Sequence, residues 1–266
     1  MASEPLLSIR DVHKAFGGVT ALDGVSIDVP AGMIYGLIGP NGSGKTTLFN
    51  VVTGFLEADR GSVTFAGRPL DRLAPFRVAQ LGLVRTFQAS LCPQRMTVME
   101  NMLLAPQRQL GDSIANIVLR AGDVRREERE HLVRARELLD TVNLGAKADD
   151  YAGSLSGGQR KLLALAQALM AGPRLVLLDE PVAGVSPRLI GDIGEVIRRL
   201  RDAGQNFLIV EHNMHFIRTI CDHVSVLDAG HVIAEGPVDE VLSRDDVLHA
   251  YLGRRPKATG AAGSPP

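Results

Sequence analysis

The clearest chemistry in the chain lies in Gly39-Pro40-Asn41-Gly42-Ser43-Gly44-Lys45-Thr46, which fits G-x-x-x-x-G-K-[ST] and follows an apolar stretch, 33–38, that predicts a strand. Glycine at 42 and 44 lets backbone N–H groups turn toward phosphate oxygens, and a helix starting there presents its positive N-terminus to the same anion. In that setting Lys45 reaches the β- and γ-phosphates of a nucleotide, Thr46 offers its hydroxyl to Mg2+, and Thr47 completes the turn into the helix. A metal also needs a carboxylate. The apolar run 175–178 predicts a buried strand whose end carries Asp179, placed to hold Mg2+ through water. Glu180 follows, placed to take a proton from a water attacking the γ-phosphate. Taken alone, these two stretches admit kinases, GTPases and many ATPases.

The elements that must position these residues alternate between strand and helix signals, the pattern of an α/β sheet with crossover helices. Strands are predicted at 6–12, 24–29, 33–38, 62–65, 175–178, 207–210, 224–227 and 231–234, several of them continuous apolar runs suited to burial on both faces. Ser186-Pro187 opens a helix whose Leu189, Ile190, Ile193, Val196, Ile197 and Leu200 share one face, ending near Gly204. Between about 88 and 167 helical signals take over: Thr97-Val98-Met99-Glu100 is a capping-box pattern, 123–139 is a charged amphipathic helix, and 160–170 is another. The RREERE run within 123–139 is expected to be a solvated helix face.

Composition sets the frame around these motifs. With 45% hydrophobic and 22% charged residues among 266, the chain has the make-up of a globular protein with a substantial core. A net charge of −1 argues against a nucleic-acid footprint over the whole chain. Cys92 and Cys221 cannot frame disulfides or a zinc site by themselves, and His212 and His215 lack the H-E-x-x-H frame. The start MASEPLLSIR has no secretory pattern, and the most apolar stretch, 162–178, is interrupted by Gly172-Pro173-Arg174 and is too short to span a bilayer. The tail at 254–266 is expected to be disordered.

Leu155-Ser156-Gly157-Gly158-Gln159 narrows the choice. Ser156 and the two glycines set a hydroxyl and bare N–H groups at another helix N-terminus, a second anion site. With this LSGGQ signature the sequence resembles the ATP-binding subunits of ABC transporters over roughly 6–253. The resemblance implies an α/β phosphate-loop ATPase core with an antiparallel β subdomain at 1–88 and 168–253, and a helical signature subdomain at 89–167. It implies ATP and Mg2+ as ligands, and a head-to-tail dimer in which Ser156, Gly157, Gly158 and Gln159 of one subunit complete the γ-phosphate site of the other. It further implies that Phe16, in KAFGG, stacks on adenine; that Gln88, in RTFQ, senses Mg2+ and the γ-phosphate; and that His212, after the strand at 207–210, contacts the γ-phosphate.

The segments FGGVTALDGVSIDV, GLIGPNGSGKTTLFNVVTGF, MTVMENM and IAEGPVDEV are similar to the LivG-type ATPases of branched-chain (hydrophobic) amino-acid importers. The intact LSGGQ is shared instead with LivF-type partners and with lipopolysaccharide-export ATPases. The expected partners are transmembrane permease subunits, a second ABC ATPase subunit (a LivF-type paralogue or a second copy) and, indirectly, a solute-binding protein, at the cytoplasmic face of the cell membrane. An ATPase of a urea or amide importer or of a lipid exporter is the alternative, since none of these residues touches cargo. A soluble ABC ATPase would need a long coiled coil or a second ATPase unit. One departure stands out: Ser186 occupies the place of the aspartate in the family's S-A-L-D stretch.

Overall fold

Unbroken apolar runs fall where a strand must be covered on both sides. The computed structural model describes residues 4–86, 92–106 and 109–252. Its strands are β1 (Leu7–Phe16), β2 (Val19–Val29), β3 (Ile34–Ile38), β4 (Arg60–Phe65), β5 (Arg68–Pro69), β6 (Leu83–Thr86), β7 (Leu175–Asp179), β8 (Asn206–Val210), β9 (His223–Asp228) and β10 (His231–Pro237). Six of them form one sheet in the order β10-β9-β3-β8-β7-β6, parallel except for the antiparallel edge strand β10. The other four form an antiparallel sheet, β2-β1-β4-β5.

Side-chain alternation assigns each face of the parallel sheet to its own core. Ile34, Ile38, Val176, Leu178, Phe207 and Ile209 face one way, and Tyr35, Leu37, Leu175, Leu177, Leu208 and Val210 the other. The second face is closed by the antiparallel sheet and by α1 (Lys45–Val52), through Leu7, Ile9, Ile27, Leu48 and Phe49. On the first face lie α6 (Gly157–Met170), α7 (Pro187–Asp202) and α8 (Met214–Ile220). Burial therefore fixes the register of β3, β7 and β8, because slipping any strand by one residue would exchange its two faces.

Between β6 and β7 the chain is helical: α3 (Val98–Leu103), α4 (Ile114–Leu119), α5 (Ala121–Thr141) and α6, with α3, α5 and α6 packed together. The helix α2 (Pro75–Gln80) precedes β6, and α9 (Val238–Leu242) and α10 (Asp245–Leu252) follow β10. Among the described residues, no helix is long and apolar enough to cross a membrane. The expected tail at 254–266 lies outside the described residues.

Expectation and structure differ at the β1–β2 hairpin, at β5 and β6, and at the start of α6. The β1–β2 hairpin runs about four residues further at its turn end, through mostly exposed positions where apolar and polar residues alternate poorly. The strands β5 and β6 gave no usable signal, since β5 is a two-residue pairing and β6 is four residues long with Arg85 and Thr86 in it. The helix α6 begins at Gly157 rather than at 160, because Ser156 and Gln159 form a capping box that carries both glycines into the first turn.

The capping box expected at α3 is present: Glu100 N–H donates to Thr97 Oγ1 at 3.1 Å and Thr97 N–H to Glu100 Oε2 at 2.7 Å. Replacing Thr97 with Ala is expected to lower stability by about 1 kcal/mol. Urea unfolding measures this as a lowered midpoint, and an unchanged midpoint would show the cap to be energetically idle.

Candidate nucleotide site

The phosphate-loop residues follow β3 directly. Gly44 is the N-cap of α1 at φ 109°, and a Cβ there would stand 2.5 Å from the Ala21 carbonyl oxygen of β2, so the hairpin and the loop fit together only around glycine. Gly42, at φ 81°, meets nothing within 4 Å of where its Cβ would be, which leaves its backbone open to a ligand. The loop is braced from outside by Gly230 N–H, which donates to the Ser43 carbonyl at 3.0 Å. Lys45 is buried, its ammonium donating to the Gly39 and Pro40 carbonyls at 2.8 Å each and to Ser43 Oγ at 3.4 Å. Burial pulls the Lys45 pKa down, and the charges of Glu180 and Asp179 push it back up. Thr46 is exposed at the first turn of α1, with Thr47 half-buried beside it.

At the end of β7, Asp179 is buried and paired with Arg85 of β6, Nη2 to Oδ2 at 2.7 Å. Arg85 also donates to Asn50 Oδ1 at 2.6 Å and lies over the Phe49 ring, so one guanidinium joins α1, β6 and β7. Glu180 has a left-handed backbone, φ 48°, a conformation costing about 1–3 kcal/mol in a residue other than glycine. Its carboxylate is partly exposed, with Oε1 3.7 Å from His212 Nδ1, too far for a direct hydrogen bond but within reach of charge. His212 follows β8 and is itself half open to solvent. Beneath it the buried Glu211 carboxylate accepts three main-chain N–H bonds, from Val182 at 3.0 Å, His212 at 2.9 Å and Asn213 at 3.1 Å.

Lys45, Asp179, Glu180 and His212 thus stand at the carboxyl ends of three adjacent parallel strands, β3, β7 and β8, which is where open α/β sheets receive ligands. The signature residues are held apart from this arrangement in α6. Ser156 and Gln159 cap that helix reciprocally, Gln159 N–H to Ser156 Oγ at 3.3 Å and Ser156 N–H to Gln159 Oε1 at 2.9 Å. The two signature glycines differ. Gly157 faces open space, whereas a Cβ on Gly158 would meet Val185 and Leu189 at 3.1 Å each. Phe16 ends β1 with its ring largely exposed and the Lys14 ammonium 5.6 Å from its centre. Ser186 is the N-cap residue of α7, ahead of Pro187, but its side chain makes no cap bond. Gln88 lies outside the described residues.

A loop that cradles phosphate, a strand-end carboxylate pair and a second capped helix start on one α/β sheet define a phosphate-loop nucleotide-binding protein. The chain belongs to the ABC transporter family, whose model matches residues 22–183. It is 41% identical over 248 residues to the probable branched-chain amino acid transport ATP-binding protein LivG of Archaeoglobus fulgidus, covering 93% of this chain and 95% of that one. It is 36% identical to the high-affinity branched-chain amino acid transport ATP-binding protein BraF of Pseudomonas aeruginosa, covering 94% and 99%. The ADP conformation of an ATP-binding cassette of an ABC transporter superposes with a TM-score of 0.80 at 39% identity, covering 93% of this chain and 98% of that one.

Arg85, Asn50 and Glu211 were not picked out from sequence, although Arg85 stands within RTFQ and Glu211 directly before His212. Their signal is tertiary: each satisfies a buried group from another element. Arg85→Met would leave the Asp179 carboxylate buried without its cation, and is expected to cost about 3–5 kcal/mol. Denaturant unfolding checks this, and a loss below about 1 kcal/mol, the range of exposed pairs, would show that the pair does not hold these elements together.

Proposed function

We propose that this chain is the ATP-hydrolysing subunit of an ABC importer, powering uptake of branched-chain or related hydrophobic amino acids through separate permease subunits. The carrying observation is the convergence of Lys45, Asp179, Glu180 and His212 at the ends of β3, β7 and β8. The cargo class rests on likeness to proteins named as branched-chain amino acid transport ATP-binding proteins.

In this reading the open backbone at Gly42 and the N–H groups of Gly44, Lys45, Thr46 and Thr47 bind the phosphates, and the Lys45 ammonium turns from its carbonyls to the β- and γ-oxygens. The remaining loop residues, Gly39, Pro40, Asn41 and Ser43, set the loop's path, and Phe16 stacks on the base. The Thr46 hydroxyl and the Asp179 carboxylate are hard oxygen donors that suit Mg2+, with Gln88 as a third. Bound there, Mg2+ would neutralise charge on the phosphate oxygens. Glu180 takes the proton of the water that attacks the γ-phosphorus as the bond to the ADP oxygen breaks, and His212 orients the γ-phosphate.

Ser156, Gly157, Gly158 and Gln159 act on the nucleotide of a partner ATPase subunit, either a LivF-type paralogue or a second copy. Closing the two subunits completes both sites, a lid-type step that excludes water. The division of labour is a core at 1–88 and 168–253 and a signature part at 89–167. The permeases dock beside 88–102 at the cytoplasmic face of the membrane, and a solute-binding protein delivers cargo from the other side.

Glu180→Gln is expected to retain ATP binding while hydrolysis in the complex with membrane partners falls by about a hundredfold or more. Turnover surviving that change would remove Glu180 as the base. Lys45→Ala should weaken ATP binding itself, seen by equilibrium titration, and an unchanged affinity would overturn the phosphate-loop assignment.

A further inference from the structure

Lys161 lies on α6, in the turn after the Ser156–Gln159 cap, and its half-buried ammonium donates to the main-chain carbonyl of Glu180. On the other side of the same residue, Glu180 N–H donates to the Val210 carbonyl of β8 at 2.9 Å. Both peptide groups flanking Glu180 are therefore pinned, one by the sheet and one by the signature helix, around a left-handed φ of 48°. Two residues on, Val182 N–H is held by Glu211 Oε1 at 3.0 Å. Burial pulls the Lys161 pKa down, and the charges of Glu211, Glu180 and Asp179 act to raise it.

We infer that Lys161 is a positioning residue that ties the signature helix to the backbone of Glu180, so that movement of α6 when Ser156–Gln159 meets an anion is passed to the carboxylate at the chain's own nucleotide. The inference rests on the proposed roles of Glu180 and of the signature. A flexible, uncharged contact would transmit little. A half-buried ammonium bonded to a carbonyl moves with the helix that carries it. The stretch after Glu180 has another tie to α6, the seat of Gly158 against Val185 and Leu189, but that contact is apolar and Ser186 next to it holds no cap bond. Lys161 thus provides a polar link within one chain where the interface stretch has Ser186 in place of an aspartate.

The test uses the full complex with its membrane partners and compares wild type with Lys161→Met, Lys161→Arg and Glu180→Gln. Lys161→Met, one bond shorter, keeps an unbranched apolar stem and removes the donor. It should lower kcat by about tenfold or more, the scale of a small misplacement of a reacting group. It should leave the KM for ATP and the melting temperature of the purified chain at wild-type values, and bring the Hill coefficient for ATP toward one. Lys161→Arg, which restores a cationic donor, should recover most of the lost kcat and the cooperativity. Should Lys161→Met fail to fold, Lys161→Leu, which also lacks a donor, carries the same expectation. Wild-type kcat and cooperativity in the donorless variant, or a fall in kcat matched by a rise in KM and a lower melting temperature, would overturn the inference. Continued hydrolysis by Glu180→Gln would instead overturn the role of Glu180 itself, and the two failures are told apart by which variant stays active.

Discussion

A polyanionic substrate and acidic catalytic groups have to share one edge of the sheet, and buried cations make that coexistence possible. Asp179 is neutralised from behind by Arg85 at 2.7 Å, so a buried carboxylate can stand at the end of β7. Lys45 is held on the loop side by two carbonyls at 2.8 Å while Glu180 and Asp179 act to keep it charged. Lys161 holds the Glu180 carbonyl from the helical side. Without Arg85 and Lys45 the strand ends would repel the phosphates they are proposed to receive. The parallel register that places β3, β7 and β8 side by side is a consequence of the two cores, one on each face, that tolerate no slip.

The start of α6, proposed as a second anion site, has a different construction. Its hydroxyl and amide are occupied with one another, and its open face is the bare Gly157. In the proposed dimer, two such helix starts on one chain are useful because a second subunit supplies the missing half to each.

How legible all this was depends on how local each feature is. The phosphate loop was plain in the sequence because glycine, lysine and threonine at fixed spacing are dictated by backbone close to a ligand, as the 2.5 Å approach at Gly44 illustrates. The buried strands β3, β7 and β8 were plain because burial on both faces leaves an apolar run. The strand β6 was not, since Arg85 and Thr86 look like loop residues until the ion pair with Asp179 accounts for a buried arginine. The start of α6 lies three residues before the expected 160, because the Ser156–Gln159 capping box carries both glycines into the first turn. Glu211 was illegible: a carboxylate 1% exposed is explained by three main-chain N–H donors drawn from two loops far apart in sequence.

The central claim is that the ends of β3, β7 and β8 receive the phosphates of ATP. Amide hydrogen exchange of the purified chain, with and without Mg2+ and ATP, tests it most directly. The account predicts slowed exchange at residues 40–47, with smaller protection at 180–182 and 211–213, where the carboxylates and His212 are anchored. Exchange unchanged across 40–47 while protection appears elsewhere would contradict it.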